Sequence, residues 1–184
     1  PWQEIRATSA DWEKLGKDQA LYMHNHLHLV RAFEETVLEF DGDGLVHGPA
    51  HVSVGQDGGA VGAMAPLRAG DQITGSHRGH HQFLAKALNY VDTEGGDPVT
   101  NDIPAPVQRL LHRTLSEILG LADGFCKGRG GSMHLRWAEA GALGTNAIVG
   151  GGVPLANGVA WARKRQGNGD VVFSFFGDGA TNIG

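Results

Sequence analysis

A single cysteine, Cys126, stands in the 184 residues, so neither an internal disulfide nor a thiolate cage for zinc can be built from this chain. Positive charge is not in excess either. Fifteen Lys and Arg face twenty Asp and Glu, and the net charge of −5 argues against a general nucleic-acid binder or a surface for anionic membranes. No apolar run approaches the roughly twenty residues of a membrane span, and the N-terminus lacks the basic-then-apolar order of a secretory signal. What is left is a soluble globular chain, cytoplasmic by expectation, with no nucleic acid and no membrane among its partners. Hydrophobic content of 41% against 19% charged residues fits that class, and the length suits one domain with a substantial core.

Glycine is abundant instead. Its 29 residues gather in separate segments between apolar stretches, a positional distribution unlike that of a flexible linker. Residues 12–40 read as one long helix, with Leu27, Val30, Phe33 and Val37 on an apolar stripe, stopped by Asp41-Gly42-Asp43-Gly44. Ser53 and Gln56 stand in capping-box spacing and predict a helix from Ser53 to about Leu67. Gln72-Ile73-Thr74 is a short strand candidate, and Ser76 suits the cap of a helix over Arg78–Tyr90. Residues 92–106, rich in Asp, Gly, Thr and Pro, read as an exposed loop or insertion. Further helices are predicted over Val107–Leu119 and Pro154–Gln166, with the glycine-dense stretch 124–152 between them. Val171–Phe176 lacks polar alternation and predicts a strand buried on both faces. Helices alternating with short buried strands indicate an α/β fold, a parallel sheet flanked by helices.

Six clusters carry possible chemistry. In Phe176-Gly177-Asp178-Gly179-Ala180, glycines flank a carboxylate at the end of the predicted strand. Open α/β sheets bind ligands at that place, and a bare acid suits Mg²⁺ and, through it, a phosphate. In Gly75-Ser76-His77-Arg78-Gly79-His80-His81, an Arg opening a helix would aim its fork and the helix dipole at one anion. A polar helix start with solvated histidines is the alternative. His24 and His28 lie one helical turn apart, but no acid completes a metal site, so they read as solvated or facing a partner. Cys126-Lys127-Gly128-Arg129-Gly130-Gly131-Ser132 invites a phosphate-loop reading, but the spacing is wrong, and no base is placed for Cys126 or Ser132 as nucleophile. Asn146–Pro154 puts small residues before a helix, where backbone can lie under a planar ring or fill a packing junction. His47 and His51 flank a Gly-Pro loop, where acid–base groups often sit.

The order of these segments resembles one family: the α subunit of the thiamine-diphosphate-dependent decarboxylating component of 2-oxo acid and acetoin dehydrogenase complexes. The matching landmarks are His51–Gln56, Ile73–His80, Gly128–His134, Asn146–Pro154 and Phe176–Asn182. The resemblance implies a thiamine-diphosphate-binding fold, with residues 1–40 as an N-terminal helical segment and 41–184 as the front half of the diphosphate-binding domain, 92–106 being an inserted loop. It implies thiamine diphosphate and Mg²⁺ as cofactors, with Asp178 as metal ligand. His77, where many relatives carry Tyr, and Arg78 would hold the diphosphate. Gly177 opens the cofactor motif, and Gly179 and Ala180 would meet the diphosphate through backbone N–H groups. Ala147 and Val149 match positions that contact the cofactor rings, and His51 and His80 match histidines near the cofactor channel, the candidates for catalytic work.

The implied activity is oxidative decarboxylation of pyruvate or a branched-chain oxo acid, or cleavage of acetoin, with acyl transfer to a lipoyl group on a partner acyltransferase. A β subunit or β region would supply the glutamate that activates the cofactor, in a homodimer or heterotetramer. Three departures stand out. The chain stops at Gly184, before the family's second Mg²⁺ ligand, so it resembles the front half of an α subunit. Segment 92–106 is longer than usual, as in forms where α and β regions share one polypeptide. Pro1 is no start residue. Outside this family, the alternatives are another thiamine-diphosphate enzyme of transketolase or decarboxylase type, and a non-catalytic α/β assembly module.

Overall fold

Thr8 opens the chain's first helix by a capping box. Its hydroxyl accepts from the Asp11 N–H at 3.3 Å, while the Asp11 carboxylate accepts from the Thr8 N–H at 2.8 Å. The coordinates are a computed structural model that describes residue 4, residues 6–92 and residues 102–183. The single helix expected over 12–40 is two: α1 (Ser9–Leu15) and α2 (Lys17–Gly42). Gly16 parts them, at a φ of 81° that residues with a side chain seldom adopt. The expected stripe is present, for Val30, Phe33 and Val37 on α2 are buried in the core, and α2 ends at the predicted Asp-Gly turn.

The next helix, α3 (Asp57–Met64), starts later and ends sooner than predicted. Ser53 does not cap it. Its hydroxyl and its N–H both donate to the buried carboxylate of Glu34, at 2.7 and 2.9 Å, which draws the residue out of the helix. Strand β1 (Gln72–Ser76) runs two residues further than expected, and α4 (His80–Val91) begins two residues later. Ser76 stays in the sheet opposite Asn146, so it cannot cap. Gly79 makes the turn instead, and a Cβ there would lie 2.4 Å from Thr145 Cγ2 and 2.8 Å from the Ser76 carbonyl oxygen.

The remaining elements are α5 (Ala105–Ile118), β2 (Ala142–Asn146), α6 (Gly152–Gln166), β3 (Val172–Ser174) and a 3₁₀ turn (Asp178–Asn182). Most of the predicted insertion, residues 93–101, lies outside the described residues. The sheet is parallel throughout, in the order β2-β1-β3. Asp71 pins its start, accepting the Arg68 N–H at 2.7 Å and the Val171 N–H at 2.8 Å. Helix α4 is almost wholly buried among α2, α3, α5, β1 and β2, while α6 packs on β1 and β3. Gly167 ends α6 in the left-handed conformation, as its place after the helix suggests.

Strand β3 corrects the sequence reading. It was expected to be buried on both faces, but among the described residues it pairs with β1 alone and lies at the sheet edge. Phe173 is 36% and Phe176 49% exposed. No helix of the described residues is long and apolar enough to cross a membrane.

Candidate functional site

The loops that leave all three strands at their carboxyl ends meet in one cleft of about 340 Å³. Ligands of parallel sheets bind at that end, and the size falls within the range of roughly 300–1,000 Å³ for ligand pockets. From β1 come His77 and Arg78, from β2 Asn146, Ile148 and Val149, and from β3 Phe175, Phe176, Gly177, Gly179 and Ala180. Ala147 and Asp178 are exposed on the same loops, directly beside lining residues. Ile148 and Val149 are 74% and 52% exposed, so segment 146–150 offers apolar side chains to the cleft and is no crowded packing junction.

Electrostatics favour an anion here. An Arg78 Nη atom donates to the Val52 carbonyl, which fixes a half-buried guanidinium at the rim. Because α4 starts only at His80, Arg78 does not open a helix as expected. The helix start on the cleft is that of α6, where Gly152 lines the wall and no side chain caps the first-turn N–H groups. Arg163, Lys164 and Arg165 sit at the opposite end of that helix, where the dipole is negative. His51 packs edge-on against His77 with ring centroids 4.7 Å apart. Burial, then repulsion of a protonated ring by its neighbours His77, Arg78 and His80, lowers the His51 pKa from its ordinary value and favours the neutral imidazole.

His80 lies away from the cleft. It is fully buried, lines no part of the cleft, and both ring nitrogens are engaged. Nδ1–H donates to Glu34 at 3.2 Å, and Nε2 lies 2.9 Å from the Ser132 hydroxyl. The His51 N–H donates to that same hydroxyl at 3.0 Å. A base is therefore placed on Ser132, which the sequence did not show, in an acid–histidine–serine order. Ser132 is itself buried, however, so the row works as a clamp joining segment 51–53, α4 and the glycine loop. Burial pushes the Glu34 carboxyl up, but the His80 ring and the two Ser53 donors outweigh it, and the net shift is downward.

The glycine loop that suggested a phosphate cradle is already filled. Its backbone N–H groups at Cys126, Gly128 and Gly130 donate to the buried Glu117 carboxylate at 2.6, 3.0 and 2.6 Å. Close packing enforces glycine here, since a Cβ on Gly124 would lie 2.3 Å from Glu117 Oε2. Burial raises the Cys126 thiol pKa, the opposite of an activated nucleophile. His24 and His28 touch edge to face on the exposed side of α2, and among the described residues no group of three or more metal-ligating side chains assembles. Sequence reasoning did not single out Gln56, Gln82 or Asn146 for the cleft wall, although Gln56 and Asn146 stand in segments it had marked. Gln82 carried a usable signal: a polar residue four after Arg78, in the first turn of a buried helix.

Residues 105–184 match the model of the family described as dehydrogenase E1 component. The chain is 39% identical over 170 residues to the α subunit of the acetoin:2,6-dichlorophenolindophenol oxidoreductase of Bacillus subtilis, covering 92% of this chain and 45% of that one. The corresponding subunit of Cupriavidus necator is 36% identical over 170 residues, with 92% and 45% covered. The pyruvate dehydrogenase E1 component subunit alpha of Rhizobium meliloti is 31% identical over 171 residues, with 93% and 43% covered. The chain thus spans less than half the length of these relatives. It is similar to the dehydrogenase E1 components over these segments.

Proposed function

We propose that the cleft holds thiamine diphosphate with Mg²⁺, and that the chain forms part of the α component of a 2-oxo acid or acetoin dehydrogenase. The observation that carries this reading is the meeting of His77 and Arg78 with the Gly177–Ala180 turn and with Ile148 and Val149 in one cleft. The residues fit the group. Arg78, His77, the open start of α6 and the backbone of Gly177, Gly179 and Ala180 suit a diphosphate. Ile148, Val149 and the exposed loop at Ala147 suit the faces of two planar rings. Asp178 offers the carboxylate for a Mg²⁺ that also takes phosphate oxygens.

When bound, thiamine diphosphate supplies a nucleophilic carbon and an electron sink for cleavage beside a carbonyl. The chain's own residues anchor and orient. Arg78, steadied by Val52, neutralises diphosphate charge. His51, packed against the lining residue His77, is the chain's candidate proton acceptor or donor. His80 acts one layer away, holding the loop of His51 in place through Ser132. A β subunit or β region would complete the site with a glutamate for the cofactor, and a lipoyl group on a partner acyltransferase would be the acyl acceptor.

Turnover by the full-length protein with its β partner tests this reading, using acetoin, pyruvate and branched-chain oxo acids as substrates and a dye as electron acceptor. Acetoin comes first, because the acetoin relatives align at 39% and 36% identity against 31% for the pyruvate relative. Turnover of one of these substrates that stops when thiamine diphosphate is withheld is the expected result. A folded complex inert toward all of them overturns the reading.

A further inference from the structure

We propose that Gln82 is a further binding residue of this cleft, its carboxamide donating to a phosphate oxygen of the diphosphate gripped by Arg78 and His77. The inference rests on the cleft being a diphosphate site. Gln82 lies in the first turn of α4 and lines the same cleft. It is only 7% exposed, yet its Oε1 has no hydrogen-bond partner among the described residues. Buried polar atoms are nearly always paired, so an unpaired one in a ligand cleft points to the ligand.

His81 decides which end of the amide faces out. Its Nε2 lies 3.5 Å from Gln82 Nε2, and its Nδ1 has no partner among the described residues. Burial lowers the His81 pKa to about 4, so at pH 7 the ring is neutral and carries one proton. If the amide N–H pointed at Nε2, that proton would sit on Nδ1, where nothing receives it. The two ends of a carboxamide are assigned by the bonds they make. Turned over, Oε1 accepts the Nε2–H of His81, no ring N–H is stranded, and the NH₂ group faces the cleft. A donor belongs beside Arg78, whereas an oxygen there would repel a phosphate. Gly75 keeps the slot open: a Cβ on it would lie 2.6 Å from the outward atom of the Gln82 amide.

The test is calorimetric titration of the full-length protein with its β partner, using thiamine diphosphate and, separately, inorganic diphosphate, each with Mg²⁺. Gln82→Met should weaken both ligands roughly tenfold, the scale of a lost hydrogen bond to a charged group. Gln82→Glu, nearly isosteric, should weaken them further by repulsion, and it carries the test if Gln82→Met fails to fold. Ligand-free Gln82→Met should melt below the parent, because the Nε2–H of His81 loses its acceptor, whereas Gln82→Glu keeps one. Parental affinity in Gln82→Met and Gln82→Glu beside weakened binding in Arg78→Ala overturns the inference and leaves the diphosphate site standing. Weakening for thiamine diphosphate alone also overturns it, since the amide then faces the rings. Parental affinity in Arg78→Ala as well removes the diphosphate site, and this inference with it.

Discussion

Replacing Glu34 by Ala should destabilise the protein by about 3–5 kcal/mol, the range for removing one partner of a buried ionic pair. Glu34 is fully buried and accepts from the Ser53 N–H at 2.9 Å, the Ser53 hydroxyl at 2.7 Å and His80 Nδ1 at 3.2 Å. Without the carboxylate, the Ser53 N–H is stranded at about 1–3 kcal/mol. His80 must move its proton to Nε2 and the Ser132 carbonyl, 3.0 Å away. The emptied volume adds a cavity cost. Glu34→Gln keeps the shape and one acceptor oxygen, and should cost about half as much. Ser53→Ala removes a single hydroxyl, at about 1 kcal/mol. Urea unfolding of cofactor-free full-length protein at pH 7 ranks the three. Hydrogen exchange at the His51 and Ser53 amides should quicken most in Glu34→Ala. Folding lowers the Glu34 pKa from 4.5, so this stability is whole above that value and is lost as pH falls through the lower folded value. A Glu34→Ala protein within about 1 kcal/mol of the parent, with unchanged exchange, refutes the reasoning.

Arg78→Ala should weaken thiamine-diphosphate binding by roughly 1.5–3 kcal/mol, and Arg78→Lys should recover only part, because a point charge cannot replace the fork; equal calorimetric affinity in all three proteins refutes this. His81 titrates near 4 when folded against 6.5 unfolded. Stability should therefore be whole above pH 6.5 and fall by about 3 kcal/mol by pH 4, a slope that His81→Gln should flatten in urea unfolding. Glu117→Ala strands three loop amides and should cost about 3–5 kcal/mol, seen as faster exchange at Cys126, Gly128 and Gly130.

Much of the cleft was legible in the sequence because its residues follow strand ends, where local chemistry is distinctive. Glycines flanking Asp178, Arg78 beside His77, and Ile148-Val149 ahead of Pro154 each point to a ligand or a turn within a few residues. The parallel α/β architecture was legible for a similar reason, since helices punctuated by Gly and Asp leave short apolar segments between them. Strand β2 was not, for Ala-Leu-Gly-Thr-Asn lacks both alternation and a β-branched run, and the neighbouring β1 makes it a strand. The start of α4 was misjudged because pairing of Ser76 with Asn146 outweighs its capping preference. Contacts between distant segments left no local mark. Nothing near Ser132 announces His80, 52 positions away, and nothing in the glycine loop announces that Glu117 fills it.

The central claim is that one cleft at the strand ends binds thiamine diphosphate through Mg²⁺ on Asp178. Calorimetric titration of the full-length protein and its β partner with thiamine diphosphate, with and without Mg²⁺, in parent and Asp178→Asn, tests it most directly. The expected result is tight, Mg²⁺-dependent binding in the parent, and loss of the Mg²⁺-dependent part in a folded Asp178→Asn protein, whose diphosphate charge is then poorly neutralised. No binding in the folded parent, or the same Mg²⁺-dependent affinity in Asp178→Asn, contradicts it.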